Sequence, residues 1–151
     1  MLALELEKTD VKEFMSKLLK EELFDSFEAR VVEISAGVNI SIDGALEVEG
    51  EDASKGGFSA WSDMRSLVYE IIKHCAKPRF IKIIFSHKNT QDISENAAAL
   101  FLNMVYENDS VSFTTAAAQK EFALDKSLDI AWDEWMHKFF ANAGLNVTER
   151  E

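Results

Sequence analysis

The sequence predicts an α+β fold, with helices packed on one face of a mainly antiparallel sheet. Apolar residues at three- and four-residue spacing mark amphipathic helices near Val11–Phe24, Trp61–Cys75 and Leu128–Phe139. Alternating or continuous apolar runs mark strands between them. The links are short and rich in turn residues, which favours hairpins and so antiparallel pairing. The expected order is β-α-β-β-α-β-β-β-α.

The centre of this plan is Trp61 to Phe85. Trp61, Met64, Leu67, Val68, Ile71, Ile72 and Cys75 fall on one helical face, with Ser59 placed to cap the start. Pro78 ends the helix, because the residue before proline avoids helical angles. Phe80, Ile81, Ile83, Ile84 and Phe85 follow as a buried strand. Before it, Leu2, Leu4 and Leu6 alternate as a short strand. Asp10 and Glu13 are spaced as a capping box for the first helix. Arg30–Ser35 and Val38–Asp43 read as a hairpin turning at Ala36-Gly37. Glu47–Gly57 is acidic, then Gly-rich, and reads as a mobile loop. After the centre, Ala98–Tyr106 reads as a buried strand with some helical character. Glu107-Asn108-Asp109-Ser110 reads as a turn, and strands follow at Val111–Thr115 and Glu121–Leu124. Asp125 or Ser127 caps the last helix, and Gly144 with Leu145 suits a left-handed C-terminal cap. The expected organisation is one domain over residues 1–145, with a frayed tail over 146–151.

The chain has 151 residues, a net charge of −11 and one cysteine, Cys75. The acidic average disfavours nucleic-acid phosphate, although a local basic patch keeps it as an alternative. No run is long and apolar enough for a membrane span. A lone cysteine excludes an internal disulfide and, with no signal peptide, fits the cytoplasm.

Chemistry-bearing patterns are sparse. His74, His87 and His137 are scattered without metal-ligand spacing, and Cys75 sits on an apolar helix face, where a thiol acts as a small hydrophobe. Asp129, Asp133 and Glu134 read as a solvated face of the last helix. No Walker loop, dinucleotide fingerprint or calcium loop occurs. No catalytic, cofactor-binding or metal-binding residue is assigned. Two features stand out. Arg65, Tyr69 and Lys73, with Lys77 as an optional fourth member, follow a row at four-residue spacing on the central helix that suits a phosphate contact. Ile130 and Phe140 lie off the main stripe of the last helix and suit an interface between two copies, a homodimer.

Several stretches resemble a known family. They are Met1-Leu2-Ala3-Leu4, Asp10 to Met15, Leu23-Phe24-Asp25-Ser26-Phe27, Ile42-Asp43-Gly44, and Trp61 with Arg65. Leu100 to Asn103 with Tyr106-Glu107, Phe122 to Leu128, and Ala131-Trp132-Asp133 extend the match. The chain resembles an uncharacterised domain-of-unknown-function family of small proteins from Gram-positive, clostridia-like bacteria. The resemblance implies a bacterial, cytoplasmic, single-domain protein and carries no activity to transfer. The polar loop after Ile84 departs from the family pattern. A second likeness, to half of a DNA sliding clamp, is architectural. It would turn Lys12, Lys17, Lys20, Arg65 and Lys73 toward DNA, but the Trp-rich last helix lies outside it.

Three functions follow as expectations. The first is a non-enzymatic interaction or binding module that self-associates. The second is a nucleic-acid-associated protein. The third is a small-molecule binder or enzyme with a pocket near Trp132.

Overall fold

A computed structural model of the chain describes residues 1–47 and 57–150. In chain order the elements are β1 (Ala3–Leu6), α1 (Val11–Lys20), β2 (Phe27–Ser35), β3 (Asn39–Asp43), β4 (Ser59–Ala60) and α2 (Trp61–His74). β5 (Phe80–His87), β6 (Ala97–Glu107), β7 (Ser110–Gln119), α3 (Ser127–Asn142) and β8 (Val147–Glu149) complete them. Most of the 47–57 segment, residues 48–56, lies outside the described residues.

The strands form one eight-stranded sheet in the order β3-β2-β5-β6-β7-β1-β8, with β4 paired to β2. Every pairing is antiparallel. Period-2 alternation then decides what each face carries. Ile81, Ile83 and Phe85 of β5 oppose Tyr106, Met104 and Leu102 of β6, and Phe113 of β7 opposes Met104. This face is buried, and all three helices cover it. Phe14 of α1 meets Phe113 at 5.6 Å, Trp61 of α2 meets Phe85 at 5.3 Å, and Phe140 of α3 meets Phe113 at 4.9 Å. The other face carries half-buried Lys82, Ile84, Phe101, Asn103 and Val105.

Phe24 sits in the turn between α1 and β2 and is fully buried. Its ring lies within 6.4 Å of Phe14, Phe27, Phe85, Phe113 and Phe139. It joins α1, the sheet and α3 in one aromatic core. A bulge between Ala29 and Val31 shifts the β2 register against β5. The extra residue, Arg30, leaves the buried series, so Ala29 and Val32 both face the core despite their odd spacing. Arg30 Nε donates to Ser86 Oγ at 3.1 Å, and its guanidinium lies 4.0 Å from the Phe58 ring. Burial lowers the Arg30 pKa, and Glu28 opposes that shift.

Several expectations change. Glu121–Leu124 is not a strand, and Phe122 and Leu124 are 85% and 87% exposed. Side chains capture the backbone there: Asn96 bonds both the N–H and the C=O of Glu121, at 3.0 Å each, and Gln119 Oε1 accepts from Ala123 N–H at 3.0 Å. A backbone satisfied by side chains has no need of a ladder. The tail beyond residue 145 is not entirely frayed, because β8 pairs with β1 as an edge strand. Glu7 N–H also donates to Asn146 O at 2.9 Å. None of the three expected N-caps forms: Asp10 accepts from Asn146 Nδ2 at 2.9 Å, Ser59 belongs to β4, and the cap position of α3 is Lys126, between Asp125 and Ser127. Leu67 is half exposed, so the α2 stripe is narrower than its spacing implies. Gly144 does take the left-handed conformation (φ +71°), and Leu145 N–H closes on Phe140 O at 3.1 Å.

Candidate functional site

The β6–β7 hairpin turns on Asn108 and Asp109, both with positive φ (54° and 58°). Two such central residues make the turn whose twist matches paired strands, and Asn and Asp tolerate it best among residues with side chains. The turn brings Asp109 to Tyr106 and Lys77. Tyr106 Oη donates to Asp109 Oδ1 at 3.0 Å, and Lys77 Nζ stands 3.5 Å from the same oxygen. The Tyr106 hydrogen bond, then Lys77, holds the Asp109 carboxyl below its ordinary range. Burial, then that same hydrogen bond, pushes the Tyr106 phenol up.

This cluster closes one end of a groove of about 600 Å³ between α1, the end of α2 and the hairpin turn. The floor is apolar: Val11, Met15 and Leu19 from α1, Ile72 from α2, and Ile81 from β5. Lys8, Lys12 and Lys77 stand on the rim and are exposed. Among the described residues, neither Lys8 nor Lys12 lies within ion-pair distance of a carboxylate. Such a groove can hold an apolar body while presenting ammonium groups to negative charge at its edge.

Of the cations singled out in the sequence, Lys12 and Lys77 reach this groove, and the others lie elsewhere. Arg65 grips Asp25 with two bonds, Nε to Oδ1 at 2.9 Å and Nη2 to Oδ2 at 3.1 Å. That fork-on-fork geometry raises the Arg65 pKa and fills the guanidinium's donors on that side. Lys73 is 3.9 Å from Glu70, and Lys17 is 3.1 Å from Glu13. Lys20 and Lys73 lie 5.3 and 5.7 Å from the Tyr69 ring. The row is therefore interleaved with carboxylates. Ile130 is 56% exposed, whereas Phe140 is 1% exposed and belongs to the core, so the two do not form one surface. Asp133 leaves the solvated face: Thr115 Oγ1 donates to its Oδ1 at 2.6 Å.

The space at Trp132 is filled. Its Nε1–H donates to Phe101 O at 2.9 Å, and the His87 ring lies 5.6 Å from Trp132 and 4.7 Å from Trp135. Both His87 nitrogens are buried without a hydrogen-bond partner among the described residues. Burial lowers the His87 pKa, and Asp92 opposes the shift. A hollow on the same helix, lined by Trp135, Lys138 and Phe139 with Leu23, opens to solvent. Among the described residues, no three of His, Cys, Asp and Glu are grouped as a metal ion requires. No helix there is long and apolar enough to cross a membrane.

The groove was invisible in the sequence. Its parts come from residues 8–19, 72–81 and 106–109, and no local pattern joins them. The usable signs were the Asn108-Asp109 pair, read only as a turn, and Lys12 and Lys77, read as cations facing phosphate.

Comparison with curated proteins and with solved structures gives no significant match. A family model matches residues 17–148, which is most of the chain. The chain therefore belongs to the family of unknown function DUF5721.

Proposed function

We propose that this protein is a non-enzymatic interaction module whose groove binds an acidic polypeptide segment carrying apolar side chains. One observation carries the reading: an apolar floor rimmed by three lysines, Lys8, Lys12 and Lys77, against one carboxylate, Asp109, in a chain of net charge −11. The local sign is opposite to the average, so the groove attracts what the rest of the surface repels. Each large apolar side chain buried on the floor contributes about 1.5–3 kcal/mol before the costs of ordering the segment. The rim charges set orientation and association rate more than affinity. The lone cysteine supports a cytoplasmic setting for this role.

The test is an amide chemical-shift titration with a synthetic peptide that alternates Phe and Leu with Asp and Glu. A control peptide carries Lys in place of each acid. The acidic peptide is expected to shift Val11, Met15, Leu19, Ile72 and Tyr106, with affinity falling as salt rises. No shift, shifts elsewhere, or equal binding of the basic peptide would overturn the reading.

A further inference from the structure

We propose that the groove's occupant is the Glu121–Asp125 loop of a second copy, so that the chain associates head to tail. This rests on the groove reading above and names its partner.

The loop presents Phe122 and Leu124 almost wholly to solvent, at 85% and 87% exposure. Large apolar side chains in a floppy loop would be ordinary. Here the loop is pinned. Asn96 bonds the Glu121 backbone through both its Oδ1 and Nδ2, and Gln119 Oε1 holds Ala123 N–H. Asp125 Oδ1 accepts from the N–H and the hydroxyl of Ser127, at 3.2 and 2.7 Å. A pre-ordered segment loses little entropy on docking, so its buried area is converted to affinity efficiently.

The loop also matches the groove in charge. Glu121 and Asp125 directly flank Phe122 and Leu124, with Lys120 and Lys126 one step further out, and the groove offers an apolar floor with Lys8 and Lys12 on its rim beside the Lys77–Asp109 pair. Acid meets ammonium at the edge, and apolar meets apolar in the middle.

The sheet forbids the loop from entering its own groove. Asp109 and the groove lie at the start of β7, and the loop leaves the other end, after Gln119. The ten residues of β7 span about 30 Å at the strand rise. Loop and groove are thus opposite ends of one rigid body. A contact between them joins two different surfaces, so it is heterologous, and it either closes into a ring or propagates.

The experiment is light scattering of the full chain over a wide concentration range at low and high salt. The wild type is expected to grow in mass with concentration and to shrink with salt. Phe122→Ser with Leu124→Ser removes the knob, and Lys8→Glu with Lys12→Glu reverses the rim; each double variant is expected to stay monomeric. All four positions are exposed, and unchanged thermal unfolding confirms that the variants fold. Mixing the two double variants leaves one working loop and one working groove. The mixture is expected to stop at a pair of 17.0 kDa chains. An interface that pairs loop with loop or groove with groove cannot be rescued in this way. A wild type monomeric throughout, assembly undisturbed by either double variant, or failure of the mixture to pair would overturn the proposal. The groove reading is judged separately: acidic-peptide shifts with a monomeric wild type sink this inference and leave that one standing.

Discussion

Two phenylalanines, Phe24 and Phe122, separate what folds this chain from what it displays. Phe24 is fully buried among five other phenylalanine rings, the closest being Phe85 at a centroid distance of 4.9 Å. Truncating a buried Phe to Ala costs about 3–5 kcal/mol, and the upper part of that range applies where the walls cannot collapse. Here the walls belong to α1, β2, β5, β7 and α3, so no single element can move in to fill the void. Phe24→Ala is therefore expected to cost about 4 kcal/mol, or about 12 °C in Tm for a domain of this size. Phe122→Ala, at an exposed position, is expected to stay within about 0.5 kcal/mol. The assay is urea unfolding followed by tryptophan fluorescence, at one low protein concentration so that association does not add to stability. The midpoint should shift for Phe24→Ala with the slope unchanged. A cost below about 1 kcal/mol for Phe24→Ala, or equal costs for the two variants, would refute the aromatic core as drawn.

Two further outcomes test local features. Burial holds His87 below its ordinary value of 6.5 in the folded state, so the unfolded chain takes up its proton first as pH falls. The stability tied to neutral His87 is full above 6.5 and is lost as pH drops toward the folded value. His87→Phe, which suits the cage of Phe27, Trp132 and Trp135, should flatten that loss when urea midpoints are compared at about pH 7.5 and 5.5; an unchanged pH dependence would count against the burial argument. At Gly44 an added Cβ would fall 1.9 Å from Ala29 O, a backbone atom beside the β2 bulge. Gly44→Ala is expected to destabilise by more than about 1 kcal/mol in the same assay, and a neutral result would show that the bulge can shift.

The fold was legible where periodicity and burial agree. The stripes of Phe14 with Leu18, and of Trp61, Met64 and Val68, face the sheet as their spacing requires. Glu107–Ser110 is the predicted turn, since two residues there need positive φ and Asn and Asp supply it. The failures have separate causes. Phe122 and Leu124 alternate like strand residues, yet Asn96, twenty-five residues before Glu121, takes the backbone bonds a strand would use. Alternation reports a pattern of side chains, not the destination of the backbone. Phe140 looked like a second surface because one stripe was counted for α3, whereas Phe113 and Phe24 together offer a core wide enough to take Phe139 and Phe140. Arg65 was legible as a cation, but its partner Asp25 lies forty residues away on a turn. The groove was illegible for the same reason, as three separate segments build it.

The sheet edges bear on how copies would meet. An open antiparallel sheet invites pairing along its edge strands, and proteins blunt that route with short, polar edges. β8 has three residues, and Thr148 and Glu149 are exposed beside Arg150. β3 has five, and its outward Asn39, Ser41 and Asp43 are polar or charged. Extending the sheet from one copy to the next therefore offers little apolar contact at either edge. Phe122 and Leu124 present their apolar side chains almost wholly to solvent, and they follow the end of β7. Association driven by those residues would stack copies end on, along the strand direction. Edge pairing would align them side by side. The two arrangements respond oppositely to mutation: serine at Phe122 and Leu124 abolishes the first and spares the second.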